Sequence, residues 1–260
     1  MCLGRLVTAV EAVALVVAGV VAGMVSTVVG LASVVSYPAL LAIGLPPLSA
    51  NMTNTVALLF TGAGAAVGSR PELTGQGARI RRLAVITALG GGVGAALLLI
   101  TPSQTFERVA PVLIAAASVA LLVRRQPGGH NPGHGPPRHF ARNPSLLAGV
   151  FGVAVYVGYF GAAGGILLLV VLIPMLGQSL ARTNAVKNVV NGLANGVAAV
   201  GFAAFGPVRW LAVLPLAAGF LAGGWTGPKL VRLIPGRLLR ILIGIGGIAL
   251  AVRLGLSAYH

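Results

Sequence analysis

Apolar residues run almost continuously along this 260-residue chain, and Gly, Pro and polar residues divide them into two series of segments. The first series lies at about 7–29, 33–44, 49–68, 83–100 and 109–123, and the second at about 145–160, 164–176, 181–205, 208–228 and 238–254. The second segment of each series has only about 12 residues, too few to cross a hydrocarbon core of about 30 Å at about 1.5 Å per residue. The pattern therefore predicts spanning helices with one half-helix in each series.

Polar residues interrupt the apolar pattern at two related places. One is Gly44-Leu-Pro-Pro-Leu-Ser-Ala-Asn-Met-Thr-Asn-Thr-Val56, and the other is Gly177-Gln-Ser-Leu-Ala-Arg-Thr-Asn-Ala-Val-Lys-Asn188. Hydrocarbon offers no partner to an open backbone N–H or C=O, so interrupted helices persist at membrane depth only beside protein or a water-filled cavity. Paired interruptions in two halves of a chain point to the substrate site of a transporter.

Composition supports this interpretation. The chain is 57% hydrophobic and 8% charged, with a mean hydropathy of +0.97. These values predict an all-α integral membrane protein, a polytopic bundle of eight to ten hydrophobic segments. The apolar run after Arg5 is too long for a cleaved signal peptide, so we expect a retained helix there.

The basic residues lie between the apolar segments and not along one surface. The net charge of +15 comes from 18 Lys and Arg against 3 acidic residues. The groups are Arg70, Arg79, Arg81 and Arg82, then Arg124, Arg125, Arg138 and Arg142, then Lys229, Arg232, Arg237 and Arg240. This distribution is typical of cytoplasmic loops and argues against nucleic-acid binding.

The two series look like copies of one unit. Thr53-Asn-Thr-Val56 matches Thr183-Asn-Ala-Val186, and the Gly90/Gly94 pair matches Gly219/Gly223. The basic loop follows the third segment in the first half but the fourth in the second half, which indicates inverted orientation. We therefore expect two inverted repeats, at 1–125 and 145–260, joined by a cytoplasmic linker at 126–144.

The linker is rich in Pro, Gly and His. His130, His134 and His139 allow a metal site, and the first two have helical spacing. Pro132 and Gly133 disfavour a helix between them, so a solvated linker without metal is the preferred interpretation.

Seven residues at the two interruptions and two glycines of the stretch 161–165 form the candidate substrate site: Asn51, Thr53, Asn54, Gly164, Gly165, Thr183, Asn184, Lys187 and Asn188. The amides, hydroxyls and ammonium can donate hydrogen bonds, and helix N-termini add unpaired N–H groups with a positive dipole end, so the set suits an anion. We expect Asn51, Thr53 and Asn54 to face Thr183, Asn184 and Lys187 across a central cavity.

Each of these residues has a structural alternative. Lys187 could instead extend to the membrane interface, as lysines near helix ends do. The Asn and Thr side chains could cap helices or join them, and Ser49 and Ser179 precede the expected helices. Glu11 is near the start of the first helix, where a carboxylate favours the helix dipole, and a proton-coupling role is the lesser alternative.

The quoted motifs resemble the TauE/SafE family of sulfite exporter-like membrane proteins over nearly the whole chain. The resemblance rests on Gly30, Tyr37 to Pro47 and Thr53 to Val56 in the first half, and on Gly161 to Ile166, Arg182 to Asn188 and Arg237 to Arg240 in the second. The chain departs from the family at Val29-Gly-Leu-Ala-Ser-Val34, where members often have more glycines. The resemblance implies transport of sulfite, thiosulfate, sulfonates or related anions across the bacterial inner membrane.

The sequence thus predicts a multi-pass secondary transporter of a small anion, acting by alternating access in the bacterial cytoplasmic membrane. We expect membrane lipid and the anion as partners, a coupling ion and a homo-oligomer as further options, no nucleic acid and no cofactor. A passive channel or an assembly partner is the alternative. An embedded enzyme is disfavoured, because the apolar segments contain no Asp or His and no paired carboxylates.

Overall fold

The computed structural model describes residues 7–28, 30–123, 144–161 and 164–230, and isolated positions between 245 and 256. These ranges contain ten helices: α1 (Ala9–Val28), α2 (Ala32–Ala42), α3 (Pro47–Gly68), α4 (Arg70–Leu73), α5 (Gly77–Ile100), α6 (Ser103–Val123), α7 (Pro144–Tyr159), α8 (Gly164–Leu176), α9 (Leu180–Phe205) and α10 (Trp210–Leu230). The three linker histidines, the basic residues at 124–142 and 232–240, and most of the segment at 238–254 lie outside the described residues.

The all-helical prediction is confirmed for the described residues, with differences at some helix ends. α5 begins at Gly77 and includes Arg79, Arg81 and Arg82, because charged residues extend a helix beyond its apolar part. Glu72 and Glu107 fall between the predicted apolar segments, where loops are expected, but they lie in α4 and α6. Ser179 is the N-cap of α9 as expected, but Ser49 lies inside α3.

The helices have the composition and surface of membrane spans. In the described part of the chain, four are long and apolar enough to cross a bilayer: Ala9–Thr27, Gly77–Ile100, Ala181–Phe205 and Trp210–Gly227. Large apolar side chains point outward, such as Leu89 at 62% exposure and Leu214 at 70%, whereas Asn51, Thr53 and Lys187 are buried. Apolar groups outside and polar groups inside are the arrangement that a lipid environment favours.

The two short segments that the sequence predicted are present as the helices α2 and α8. α2 has 11 residues and α8 has 13. A glycine with positive φ stands before and after each of them: Gly30 and Gly44 around α2, Gly161 and Gly177 around α8. A left-handed backbone is costly for residues with a Cβ, so these glycines define the breaks in the chain.

The first helix of each half packs against the other half through glycines. On α5, Gly90 and Gly94 lie against the backbone of α7, and on α10, Gly219 and Gly223 lie against the backbone of α1. Small residues let helix backbones approach closely, which compensates for the weak hydrophobic drive between helices in lipid. The glycine pairs matched in the sequence therefore make matching contacts.

Helices α3 and α9 run in opposite directions and meet near Gly62 and Gly192, where a Cβ on Gly62 would lie 3.3 Å from Gly192 Cα. Beyond this crossing, the Ser49 hydroxyl of α3 donates to Pro207 O after α9, at 2.7 Å. On the other side, the Arg182 guanidinium of α9 donates to Thr74 O after α3, at 2.9 Å. We name the two sides the Arg209 end and the Arg182 end.

Candidate functional site

The site begins where the two short helices meet. A Cβ added to Gly30 would lie 2.6 Å from Gly165 Cα, so the backbones before α2 and at the start of α8 are in contact. After α2 the chain reaches Gly44, which lines a cavity with Arg209, and after α8 it reaches Gln178, whose Oε1 accepts from Arg79 at 3.0 Å. Two helix N-termini therefore converge, and each brings a positive dipole end.

The polar side chains of α9 bind the end of α1. Lys187 Nζ donates to Ser26 O at 3.3 Å, Asn184 Nδ2 donates to Thr27 O at 2.8 Å, and Asn188 Nδ2 donates to the same oxygen at 3.5 Å. The last carbonyls of a helix have no partner within it and carry its negative dipole end, which explains why an ammonium is tolerated here.

Lys187 is deeply buried, with 1% of its surface exposed. This contradicts the alternative that it extends to the interface. Its one hydrogen bond within the described residues is to a neutral carbonyl, and the three glutamates of the chain, at 11, 72 and 107, make no ion pair with it. A buried charge without a counter-charge is expensive in a membrane, so Lys187 stays a candidate functional position.

The polar side chains of α3 bind α2, α7 and the loop before α10. Asn51 Nδ2 donates to Tyr159 O at 3.1 Å, at the end of α7. Asn54 Oδ1 accepts from Ser36 Oγ at 2.6 Å, and Asn54 Nδ2 donates to Ser33 Oγ at 3.1 Å. Thr53 Oγ1 accepts from Arg209 N at 3.0 Å. Each of these three side chains therefore has a protein partner.

Four buried oxygens of α9 have no hydrogen-bond partner in the described part of the chain: Thr183 Oγ1, Asn184 Oδ1, Asn191 Oδ1 and Asn195 Oδ1. The Asn195 amide orientation is fixed, because its Nδ2 donates to Asn191 O at 2.9 Å. A buried polar atom without a partner costs about 1–3 kcal/mol, so such atoms call for an explanation, such as a ligand or an unseen water.

Asn191 and Asn195 were absent from the candidate set. Their Oδ1 atoms each lie 3.7 Å from the positions that a Cβ would take on Gly164 and Gly161, respectively. They therefore border the break between α7 and α8. Their spacing from Asn184 and Asn188 places all four asparagines along one side of α9, and this periodicity was the sequence signal that could have found them.

The candidate residues are only partly brought together. Gly165 contacts Gly30, whereas Gly164 lies against the Val157 side chain. Among the described residues no hydrogen bond joins the α3 set to the α9 set, but both sets border Gly30. The first reaches Ser33 on one side of it, and the second reaches Thr27 on the other. That the two sets face each other across one cavity stays a prediction.

Glu11 has a local role at the start of α1. Its carboxylate accepts from Thr8 N at 2.8 Å, and Thr8 Oγ1 accepts from Glu11 N at 3.2 Å. This reciprocal pair is a capping box, which agrees with the helix-dipole interpretation. Glu11 also lines, with Arg209 and Gly44, a cavity of about 300 Å³ at the Arg209 end.

Comparison with known proteins agrees with this membrane architecture. Residues 15–254 match the family described as "Sulfite exporter TauE/SafE". A probable membrane transporter protein of Sinorhizobium sp. is 28% identical over 94% of this chain and 92% of its own length. The probable membrane transporter protein YfcA of Escherichia coli is 24% identical over 90% of this chain and 85% of its own. No solved structure matches the chain. The matched family and these relatives are transporters rather than enzymes.

Proposed function

We propose, from the premise that this chain belongs to the TauE/SafE family and is a probable membrane transporter, that it carries a small anion by alternating access. The observation that carries the proposal is the meeting of α2 and α8 at Gly30 and Gly165. Broken helices whose N-termini converge inside a membrane protein bind anionic groups, because the dipole ends and free N–H groups point at the ligand.

The anion is a sulfur-containing oxyanion or an organosulfonate. The family description, sulfite exporter, supports this class. The chemistry of the site also supports it, since the Lys187 ammonium and the Thr183 hydroxyl supply buried donors that suit a compact oxyanion. Donors to an anion make shorter and stronger hydrogen bonds than donors to a neutral group.

Alternating access would use two halves of inverted orientation. The reciprocal packing of α5 on α7 and of α10 on α1 supports this, as does the antiparallel crossing of α3 and α9 at Gly62 and Gly192. An axis in the membrane plane brings equivalent positions of inverted repeats together, and these two glycines are equivalent in the sequence. The proposal also allows for a coupling ion and for a homo-oligomer.

The Arg182 end faces the cytoplasm, and the membrane is the bacterial inner membrane. α3 ends there before Arg70, α5 begins there with Arg79, and α10, which starts beside Arg209, ends near Lys229 after 21 residues. Positively charged residues favour the cytoplasmic side. A single cysteine introduced at Arg79 should react with an impermeant reagent only after the cells are opened, and labelling from outside would contradict this orientation.

Flux through the purified chain in liposomes tests the transport proposal. Sulfite, thiosulfate, taurine, sulfoacetate and sulfate would first be screened for thermal stabilisation of the protein. A stabilising anion should then show saturable uptake that an internal excess of the same anion accelerates. A passive channel would give flux without this counterflow, and an assembly partner would give no flux, so either result would contradict a carrier.

A further inference from the structure

The described part of the chain has one buried charged side chain near the breaks. Among the buried polar residues that the structure describes, Lys187 is the charged one, and the others are Ser, Thr, Asn and Gln. The chain has no Asp, and its three Glu residues are not in this buried group. The side chains at the site therefore contribute one positive charge.

The helix ends contribute partial charges that cancel. α1 and α7 bring their C-terminal ends to the breaks, each equivalent to about −0.5 of an elementary charge. α2 and α8 bring their N-terminal ends, each equivalent to about +0.5. Two ends of each sign leave the Lys187 ammonium as the net charge, although the N-terminal ends determine where an anion lies.

Because the site is buried, its net charge determines which ligand charge is bound at the lowest cost. Inside a membrane protein an uncompensated charge is costly, and the cost is lowest when the ligand neutralises the site. A ligand with one negative charge leaves the site neutral. A ligand with two negative charges leaves one uncompensated, and a neutral ligand leaves the lysine charge in place.

We infer that this site takes anions with a single negative charge in preference to dianions and neutral molecules, because Lys187 is its one buried counter-charge among the residues that the structure describes. The inference rests on the proposed function and narrows its substrate class. Within the sulfur oxyanions it favours monoanions, such as hydrogen sulfite and simple sulfonates, over sulfate.

Three probes of nearly equal shape test the inference at pH 7: methanesulfonamide, methanesulfonate and sulfate, with charges of 0, −1 and −2. Each is titrated against the thermal stability of the purified full chain and against uptake of a stabilising anion into liposomes. Methanesulfonate should bind at least about tenfold more tightly than either neighbour. Methyl sulfate, with one charge, should restore the binding that sulfate lacks.

A matched pair of variants assigns the preference to the lysine. Lys187→Gln removes the site charge, so methanesulfonate should lose its advantage over methanesulfonamide. Lys229→Gln removes the other lysine of the chain, in the last turn of α10, and should leave the preference unchanged. If Lys187→Gln does not fold, the probe series on the unmodified chain still decides the charge preference.

The outcomes separate the two proposals. If no anion stabilises the protein or enters liposomes, the transport proposal fails. If anions are transported but sulfate or methanesulfonamide equals methanesulfonate, transport stands and the single-charge inference is overturned. An unchanged preference in Lys187→Gln would also overturn it.

Discussion

The polar segments of α3 and α9 begin with the same residues, Thr-Asn, yet they differ in how completely their side chains are paired. On α3, Asn51, Thr53 and Asn54 are all hydrogen-bonded within the protein. On α9, the Thr183 hydroxyl and the Asn184 Oδ1 are buried without partners among the described residues. Each of the three α3 side chains thus has a protein partner, whereas the Thr183 hydroxyl of α9 has none in this part of the chain.

This difference assigns separate tasks to the two copies. Side chains that are bonded within the protein hold helices together and have fewer donors left for a ligand. On α9, the Thr183 hydroxyl and the Lys187 ammonium can donate to an anion, whereas the open Asn184 Oδ1 can only accept. We therefore expect α3 to hold the broken helix of the other half in place, and α9 to contact the substrate.

The largest effect should come from the contact that joins the two breaks. Gly30→Ala places a Cβ 2.6 Å from Gly165 Cα at a residue with φ of +83°. The left-handed backbone costs about 1–2 kcal/mol and the overlap about 1–3 kcal/mol more. We expect a large fall in the melting temperature of the purified protein and loss of uptake.

Gly75→Ala is the control for this change. Gly75 has a similar φ of +77°, but no atom lies within 4 Å of the added Cβ. It should lose only the backbone part, about 1–2 kcal/mol. Equal melting temperatures for the two variants would mean that the breaks do not meet as described.

Thr53 of α3 and Thr183 of α9 occupy equivalent positions, so the same isosteric change to valine can be made at both. The two variants give the sharpest test of the difference between the helices. Thr53→Val removes the acceptor of Arg209 N and should cost about 1 kcal/mol of stability while leaving the apparent affinity for the anion unchanged. Thr183→Val removes a hydroxyl without a protein partner. It should leave stability within about 0.5 kcal/mol but weaken uptake by about two- to tenfold.

Melting temperature and half-saturating anion concentration would be measured for both threonine variants. The reverse pattern, with weaker uptake in Thr53→Val and lower stability in Thr183→Val, would mean that α3 contacts the substrate and that α9 holds the broken helix in place.

The smallest effect should come from Glu11, which lies outside both polar segments. Glutamine can also complete a capping box, so Glu11→Gln should keep the cap and lose the charge–dipole contribution, about 0.3–1 kcal/mol. The pH dependence of uptake should stay as in the unmodified chain. Loss of that dependence, with anion binding retained, would instead make Glu11 a proton-coupling residue.

The sequence was sufficient to locate the helices and their breaks. Glycines and prolines between apolar runs predicted α2 and α8. The match of the residues that begin at Thr53 with those that begin at Thr183 predicted two related halves. These features depend on local physics: backbone freedom at glycine, apolar length against membrane thickness, and charge at the loops.

The pairing state of each polar side chain could not be predicted. Asn51 binds Tyr159 O and Asn184 binds Thr27 O, and these acceptors are backbone carbonyls at helix ends far away in the sequence. A carbonyl is present in every residue, so no residue type marks it as the partner. For this reason residues of both polar segments were predicted to contact the substrate, without a distinction between them.

Under the proposed alternating-access mechanism, the crossing of α3 and α9 at Gly62 and Gly192 would be the pivot between the two ends. On one side, Ser49 and Thr53 join α3 to the loop before α10, and on the other, Arg182 joins α9 to the segment after α3. Neither glycine has a side chain to interlock, so the two backbones can tilt against each other. A tilt that separates the contacts at one end compresses those at the other, so both ends do not open together.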